Sequence, residues 1–76
     1  MKYIDIIFCA NWGYQPQAAR VAEEIQREYP EVEIEEIPGA GGVFDVIVDG
    51  KTIYSKKETG RFPEKGETLE LIKKLF

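Results

Sequence analysis

Histidine is absent from this sequence, and cysteine occurs once, as Cys9. Without histidine the chain cannot form a Ser-His-Asp triad, a Cys-His pair or a histidine-ligated zinc site. A single cysteine excludes an intrachain disulfide and every metal site that needs two thiolates, so we predict no metal site. The open chemical question is whether the Cys9 thiol is a reactive group or an inert core residue.

Basic residues and long apolar runs are also scarce. Ten Lys and Arg stand against fourteen Asp and Glu, which gives a formal net charge of −4 and argues against a nucleic-acid partner. No apolar run approaches the roughly 18 residues of a membrane span, so we expect no membrane partner. Residues 1–14 have one Lys, an acid inside the apolar run and no small-residue cleavage site. They therefore predict a first strand rather than a signal peptide, and we expect a cytoplasmic protein.

The chain has 76 residues, and we predict a single domain spanning residues 1–76. Alternating apolar residues predict strands, and a 3.6-residue apolar period predicts helices. Asp49-Gly50 is a strong hairpin signal, because a type I′ turn needs positive φ at both central positions. The predicted elements, in chain order, are a strand at 3–8, a helix from Pro16 to Pro30, strands at 32–37, 43–48 and 51–55, and a helix at 65–76.

The order of these elements predicts the fold class. A helical crossover must join parallel strands, so the first three elements form a βαβ unit. The hairpin and the last helix complete the βαβββα order of the thioredoxin-like fold, an α/β fold with a mixed four-stranded sheet and two helices packed on it. Glutamates alternate with Val32 and Ile34, which places that strand at a sheet edge.

Cys9 lies where the first strand ends and the turn toward the first helix begins. Open α/β sheets place reactive groups at the carboxyl ends of strands, and helix N-terminal amides can lower a thiol pKa. Because Asn11 and Gly13 break regular structure, we expect Cys9 to be partly exposed in a loop flanked by Trp12 and Tyr14. The alternative is that Cys9 packs beneath the loop, since cysteine is often buried.

Three segments carry a family resemblance. FCANWGYQP at residues 8–16 resembles the active-site segment of the selenoprotein W-like family (SelT/SelW/SelH, or Rdx), which has C-x-x-C or C-x-x-selenocysteine followed by G-Y-x-P in the animal proteins. GVFDV at residues 42–46 and DGKTIYSKK at residues 49–57 are similar to its G-x-F-x-V and G-x-x-I-x-S-K-K stretches. The resemblance implies a thioredoxin-like fold and a thiol redox role linked to glutathione, with Cys9 as the catalytic residue.

Trp12 is a departure from the family pattern, because it occupies the position of the second cysteine or selenocysteine. A dithiol cycle cannot run within this chain without a resolving thiol. We therefore predict a monothiol redox protein, in which Cys9 exchanges with glutathione or with a protein thiol or disulfide. The alternative is a non-catalytic interaction module, in which Trp12 and Tyr14 form an aromatic anchor beside an unreactive Cys9.

The predicted binding residues are Trp12, Gly13, Tyr14 and Lys56. We interpret Trp12 as a packing or interface residue, because indole offers one donor and no acceptor. Lys56, followed by another lysine, can attract the carboxylates of glutathione, although a solvated charge pair is the commoner case. Residues 39–42 are interpreted as a linker rather than an anion-binding nest, since no phosphate fingerprint is present. We expect no tightly bound cofactor, with glutathione as a co-substrate.

Overall fold

The computed structural model describes residues 3–75, which form four strands and three helices. The predicted element order is confirmed, with one short extra helix in a segment that the sequence predicts to be turn-rich. Phe76, the predicted end of the last helix, and residues 1 and 2 lie outside the described range. The elements are β1 Tyr3–Cys9, α1 Gln15–Glu28, β2 Glu33–Gly39, β3 Phe44–Val48, β4 Lys51–Ser55, α2 Lys56–Thr59 and α3 Glu67–Leu75.

The four strands form one mixed sheet in the order β2-β1-β3-β4. β1 and β2 are parallel because α1 connects them, whereas β1 with β3 and β3 with β4 are antiparallel. β2 is an edge strand, as its glutamate alternation predicts. The thioredoxin-like βαβββα arrangement predicted from the sequence is therefore confirmed, with α2 added between β4 and α3.

The core lies between one face of this sheet and the helices α1 and α3. Alternation along β1 buries Ile4 and Ile6 on this face, and α1 buries Ala18 and Ile25 against them, as their helical spacing predicts. Each fully buried isoleucine stabilises the fold by about 1.5 to 3 kcal/mol. The fully buried members of this core are Ile4, Ile6, Ala18, Val21, Ile25, Phe44, Val46 and Ile72.

The β3–β4 turn has the predicted geometry. Asp49 and Gly50 have φ values of 48° and 85°, the positive pair that a type I′ turn requires. The turn is also tied to β1, because the Asp49 backbone N–H donates to the Tyr3 carbonyl at 2.9 Å and the Tyr3 N–H donates to Asp49 Oδ1 at 2.9 Å. Among residues 3–75 no peptide bond is cis, so Pro38 is trans.

A hydrogen-bonded cluster fixes α2 at the end of β4. The Tyr54 hydroxyl donates to the Arg61 carbonyl at 2.6 Å, and the Thr59 hydroxyl donates to the Tyr54 oxygen at 2.9 Å. The Arg61 guanidinium donates to both Glu67 oxygens, at 2.7 and 2.9 Å, and these hydrogen bonds lower the pKa of Glu67 to about 2. The cluster holds Lys56, the first residue of α2, beside the loop that follows β1.

Candidate functional site

Cys9 is the last residue of β1, and its side chain is fully buried, with 0% exposed. Its backbone N–H donates to the Val43 carbonyl at 2.8 Å, and its carbonyl accepts from the Tyr14 N–H at 3.2 Å. The expectation of a partly exposed Cys9 in a loop is therefore wrong. The strand runs one residue beyond its predicted end, and the thiol at that end is buried.

A tight turn at residues 10–13 covers the end of β1. The Gly13 N–H donates to the Ala10 carbonyl at 3.1 Å, and Gly13 has a φ of 74°, which its missing side chain permits. The Ala10 N–H donates to the Gly39 carbonyl at 3.3 Å, which joins this turn to the end of β2. α1 begins directly after the turn, with Pro16 in its first turn as predicted.

Trp12 lies on the outside of this turn and is 63% exposed. Its six-membered ring packs on the backbone of Gly42, where an added Cβ would lie 2.6 Å from the indole Cζ3. Gly42 is needed for a second reason, its φ of 76°. The glycine-rich segment after β2 is thus the seat of the Trp12 indole rather than a plain linker. In the sequence, the adjacent glycines at 41 and 42 are the signal of this close contact, and the interpretation of the segment as a linker did not use it.

Trp12 and Lys56 line the same surface cleft, which has a volume of about 550 Å³. These two predicted binding residues come from distant parts of the chain, whereas Gly13 and Tyr14 are not among the lining residues. One wall is aromatic, one is glycine backbone, and one carries two lysines. The lining residues are Trp12, Ala40, Gly41, Gly42, Val43, Asp45, Ser55, Lys56 and Lys57.

Tyr14 does not line the cleft, but its ring contacts two residues that do, Trp12 and Lys56. Its ring meets Trp12 edge-on with centroids 6.0 Å apart, and it meets Phe62 edge-on at 4.6 Å. Phe62 in turn packs edge-on against the buried Phe44 at 5.3 Å, so an aromatic series runs from the core to Trp12. The Lys56 ammonium lies 5.5 Å from the Tyr14 centroid and 5.4 Å from that of Phe62. Phe62 was not identified from the sequence. Its signal in the sequence is that it is the one large apolar residue in the polar segment 56–63.

The described part of the chain, residues 3–75, holds no cluster of three or more potential metal ligands. It also has no helix that is long and apolar enough to cross a membrane. The cleft offers an aromatic surface, ammonium groups and one carboxylate, Asp45, whereas the only thiol of the sequence is buried and does not line the cleft. This arrangement is suited to binding a ligand, and thiol exchange requires that the buried Cys9 thiol becomes exposed.

A sequence model of the Rdx family matches residues 3–74. The chain belongs to the Rdx family. It is 31% identical over 72 residues to Migration and invasion enhancer 1 of Mus musculus, an alignment that covers 95% of this chain and 63% of that protein. It is 29% identical over 72 residues to Selenoprotein W of Danio rerio, covering 91% of this chain and 84% of that protein. The chain thus spans less than two thirds of the length of the first of these relatives.

Two solved structures have the same fold as this chain. A crystal structure of a protein from Bordetella parapertussis superposes with a TM-score of 0.91 at 25% identity, covering 97% of this chain and 96% of that chain. A selenoprotein W-related protein from Vibrio cholerae has a TM-score of 0.91 at 24% identity, covering 99% and 98%. The selenoprotein W-like resemblance is confirmed, and Rdx membership is consistent with a redox family.

The contact between Trp12 and Gly42 predicts a spectroscopic effect. Gly42→Ala is expected to displace the indole and shift its emission to longer wavelength, because the new Cβ would lie 2.6 Å from Cζ3. Trp12 is the single tryptophan, so its emission reports on this contact. Gly41→Ala is the matched control: its φ of 73° carries the same strain of about 1 to 2 kcal/mol, yet its Cβ would meet no atom within 4 Å. Equal emission changes in both variants would contradict the contact.

Proposed function

We propose that this Rdx protein acts by binding a carboxylate-bearing, peptide-like ligand in the Trp12 cleft, and not through a dithiol cycle of its own. One observation carries the proposal: the accessible position of the family motif holds Trp12, 63% exposed, while the Cys9 thiol is 0% exposed. A large exposed aromatic is a typical binding anchor, and its solvent-facing surface is free to be covered by a ligand.

The charges of the cleft support the choice of ligand. Lys56 and Lys57 lie at one side, and within residues 3–75 neither forms an ion pair with a carboxylate. Exposed ammonium groups next to an aromatic wall attract a ligand that carries a carboxylate and a short apolar stem. Glutathione is a small ligand of this kind, and an extended peptide segment with an acidic side chain is a larger one.

Glutathione-linked monothiol exchange at Cys9 is the second candidate function. It is favoured by the Rdx match and by the position of Cys9 at the end of β1, the first position of the family motif. In this reaction the Cys9 thiolate attacks the glutathione sulfur of a glutathionylated protein, a mixed disulfide of Cys9 with glutathione forms, and the thiolate of that protein leaves. A second glutathione thiolate then attacks the mixed disulfide, which releases oxidised glutathione and restores Cys9. The exchange requires that the buried Cys9 thiol first becomes exposed.

S-Methylglutathione separates binding from exchange, because its blocked sulfur cannot form a disulfide. We expect it to change the Trp12 emission saturably, and we expect Lys56→Gln to weaken binding by about fivefold, the loss of roughly 1 kcal/mol of charge interaction. Lys73→Gln, at an exposed position of α3, removes the same charge at a residue that does not line the cleft and serves as the control. No saturable change, or an equal loss in the control, would contradict the binding proposal.

Oxidised glutathione tests the second candidate by mass. With the folded protein we expect no adduct, because the Cys9 thiol is buried, whereas the protein unfolded in guanidinium should gain one glutathione per chain. If the adduct forms on the folded protein at a rate comparable to that on the unfolded protein, the Cys9 thiol is accessible after all. That result would favour monothiol exchange.

A further inference from the structure

The sheet has a second face, opposite the helices, which we call the outer face. Its central apolar residues are Ile7 of β1, Ile37 of β2 and Ile47 of β3. They are half-buried, and none of them packs against the core formed with α1 and α3. Ile7 and Ile37 are register partners on neighbouring strands, so their side chains lie side by side about 4.8 Å apart in strand spacing.

Carboxylates alternate with these isoleucines on the outer face. Asp45 of β3 is the register partner of Ile7 of β1, and Asp5 of β1 is the register partner of Ile47 of β3. Asp5 is also directly opposite Glu35 of β2, an arrangement of like charges that destabilises a sheet. Among residues 3–75, none of these three acids has a cationic group within 4.0 Å. The fold therefore keeps a repulsive pair that no described cation neutralises.

From this surface we propose that the outer face docks a basic amphipathic segment of another protein, whose apolar side chains cover the isoleucines and whose lysines or arginines meet Asp5 and Glu35, the two acids that lie outside the Trp12 cleft. Charge complementarity selects this occupant. A second copy of the chain in a twofold arrangement would bring the same face against itself, acid facing acid. Tyr3, which lies on the same face at the start of β1 and is 58% exposed, supplies an aromatic contact at the rim.

The test uses a labelled amphipathic peptide of leucine and lysine as the probe, with a scrambled peptide of the same composition beside it. We expect the amphipathic peptide to bind at low salt, to shift backbone amide resonances of β1, β2 and β3, and to bind less tightly as salt is raised. The double variant Asp5→Asn with Glu35→Gln should bind about tenfold more weakly, because two exposed charge pairs are lost.

A charge-matched variant distinguishes the contribution of this surface to binding from that of the net charge of the protein. Glu28→Gln with Glu70→Gln removes two exposed acids from α1 and α3, and its affinity should stay within about twofold of the parent. The Asp5 and Glu35 variant should also unfold at no lower temperature than the parent, since it relieves repulsion. Equal losses in both double variants, equal binding of the scrambled peptide, resonance shifts confined to the helices, or a parent dimer that buries this face would each overturn the proposal.

Discussion

Replacing Trp12 by cysteine is expected to yield a protein that forms an intrachain disulfide and reduces a test disulfide at least about tenfold faster than the parent. The reason is the difference in exposure between positions 9 and 12, which correspond to the two ends of the C-x-x-C motif of the family. The side chain at position 12 is 63% exposed, whereas Cys9 is 0% exposed. A thiol placed at position 12 meets a substrate disulfide directly, and Cys9 beneath it is the resolving group. In this variant the thiol at position 12 is therefore expected to be the attacking group, whereas the prediction from the sequence for the parent has Cys9 as the nucleophile.

The geometry required for this disulfide is well defined. The two sulfurs must reach about 2.05 Å, with Cα atoms within roughly 4.4 to 6.8 Å. Cys9 directly precedes the tight turn at residues 10–13, and residue 12 lies within it; the hydrogen bond from the Gly13 N–H to the Ala10 carbonyl at 3.1 Å closes the turn and keeps the two residues near each other. Because the indole is mostly exposed, Trp12→Cys should cost only about 1 kcal/mol of stability.

Thiol counting after mild oxidation and the rate of test-disulfide reduction measure the outcome. Trp12→Ser is the control, because it removes the same aromatic contact with Gly42 without adding a thiol. The combination of Trp12→Cys with Cys9→Ala should still be attacked by oxidised glutathione, but its mixed disulfide should persist, since no resolving thiol remains. Two thiols that never pair in the folded Trp12→Cys variant would show that the turn does not have the family geometry.

The fold was predictable from local patterns, because each of them is decided within a few residues. Alternation along β1, the helical spacing of Ala18 and Ile25 and the Asp49-Gly50 turn all have the predicted structure. The parallel pairing of β1 and β2 follows from the crossover helix alone. α2 was missed because its four residues are too few to show a helical period.

The site was predictable only in part, because its geometry depends on contacts between distant segments. The structure brings the predicted binding residues Trp12 and Lys56 to one cleft, but nothing local to Cys9 reveals its backbone hydrogen bond with Val43. The Cys9 N–H donates to the Val43 carbonyl, 34 positions further along the chain, and the Cys9 side chain is fully buried. Phe62 is likewise invisible to periodicity, since its partners are Tyr14 and Phe44.

Phe44→Ala is expected to be the most destabilising single change among these positions, with a loss of about 3 to 5 kcal/mol in the free energy of unfolding. Phe44 is 0% exposed in the middle of the core. At about 0.05 to 0.15 kcal/mol per residue, a chain of this length has only some 4 to 11 kcal/mol of total stability, so the variant should be largely unfolded at moderate denaturant. Denaturant unfolding measures the loss, and a value under about 2 kcal/mol would contradict it.

Phe44→Leu tests whether Phe44 also positions the cleft. This variant should stay folded at a cost near 1 kcal/mol, yet it removes the edge-on contact with Phe62 that supports Tyr14 and, through it, Trp12. Ile72→Val, a fully buried change in α3, costs about 0.5 to 1.5 kcal/mol and is matched in stability but lies outside the aromatic series. Only Phe44→Leu should change the Trp12 emission and weaken S-methylglutathione binding. If both variants behave alike at equal stability, the aromatic series contributes packing to the fold and does not position the Trp12 cleft.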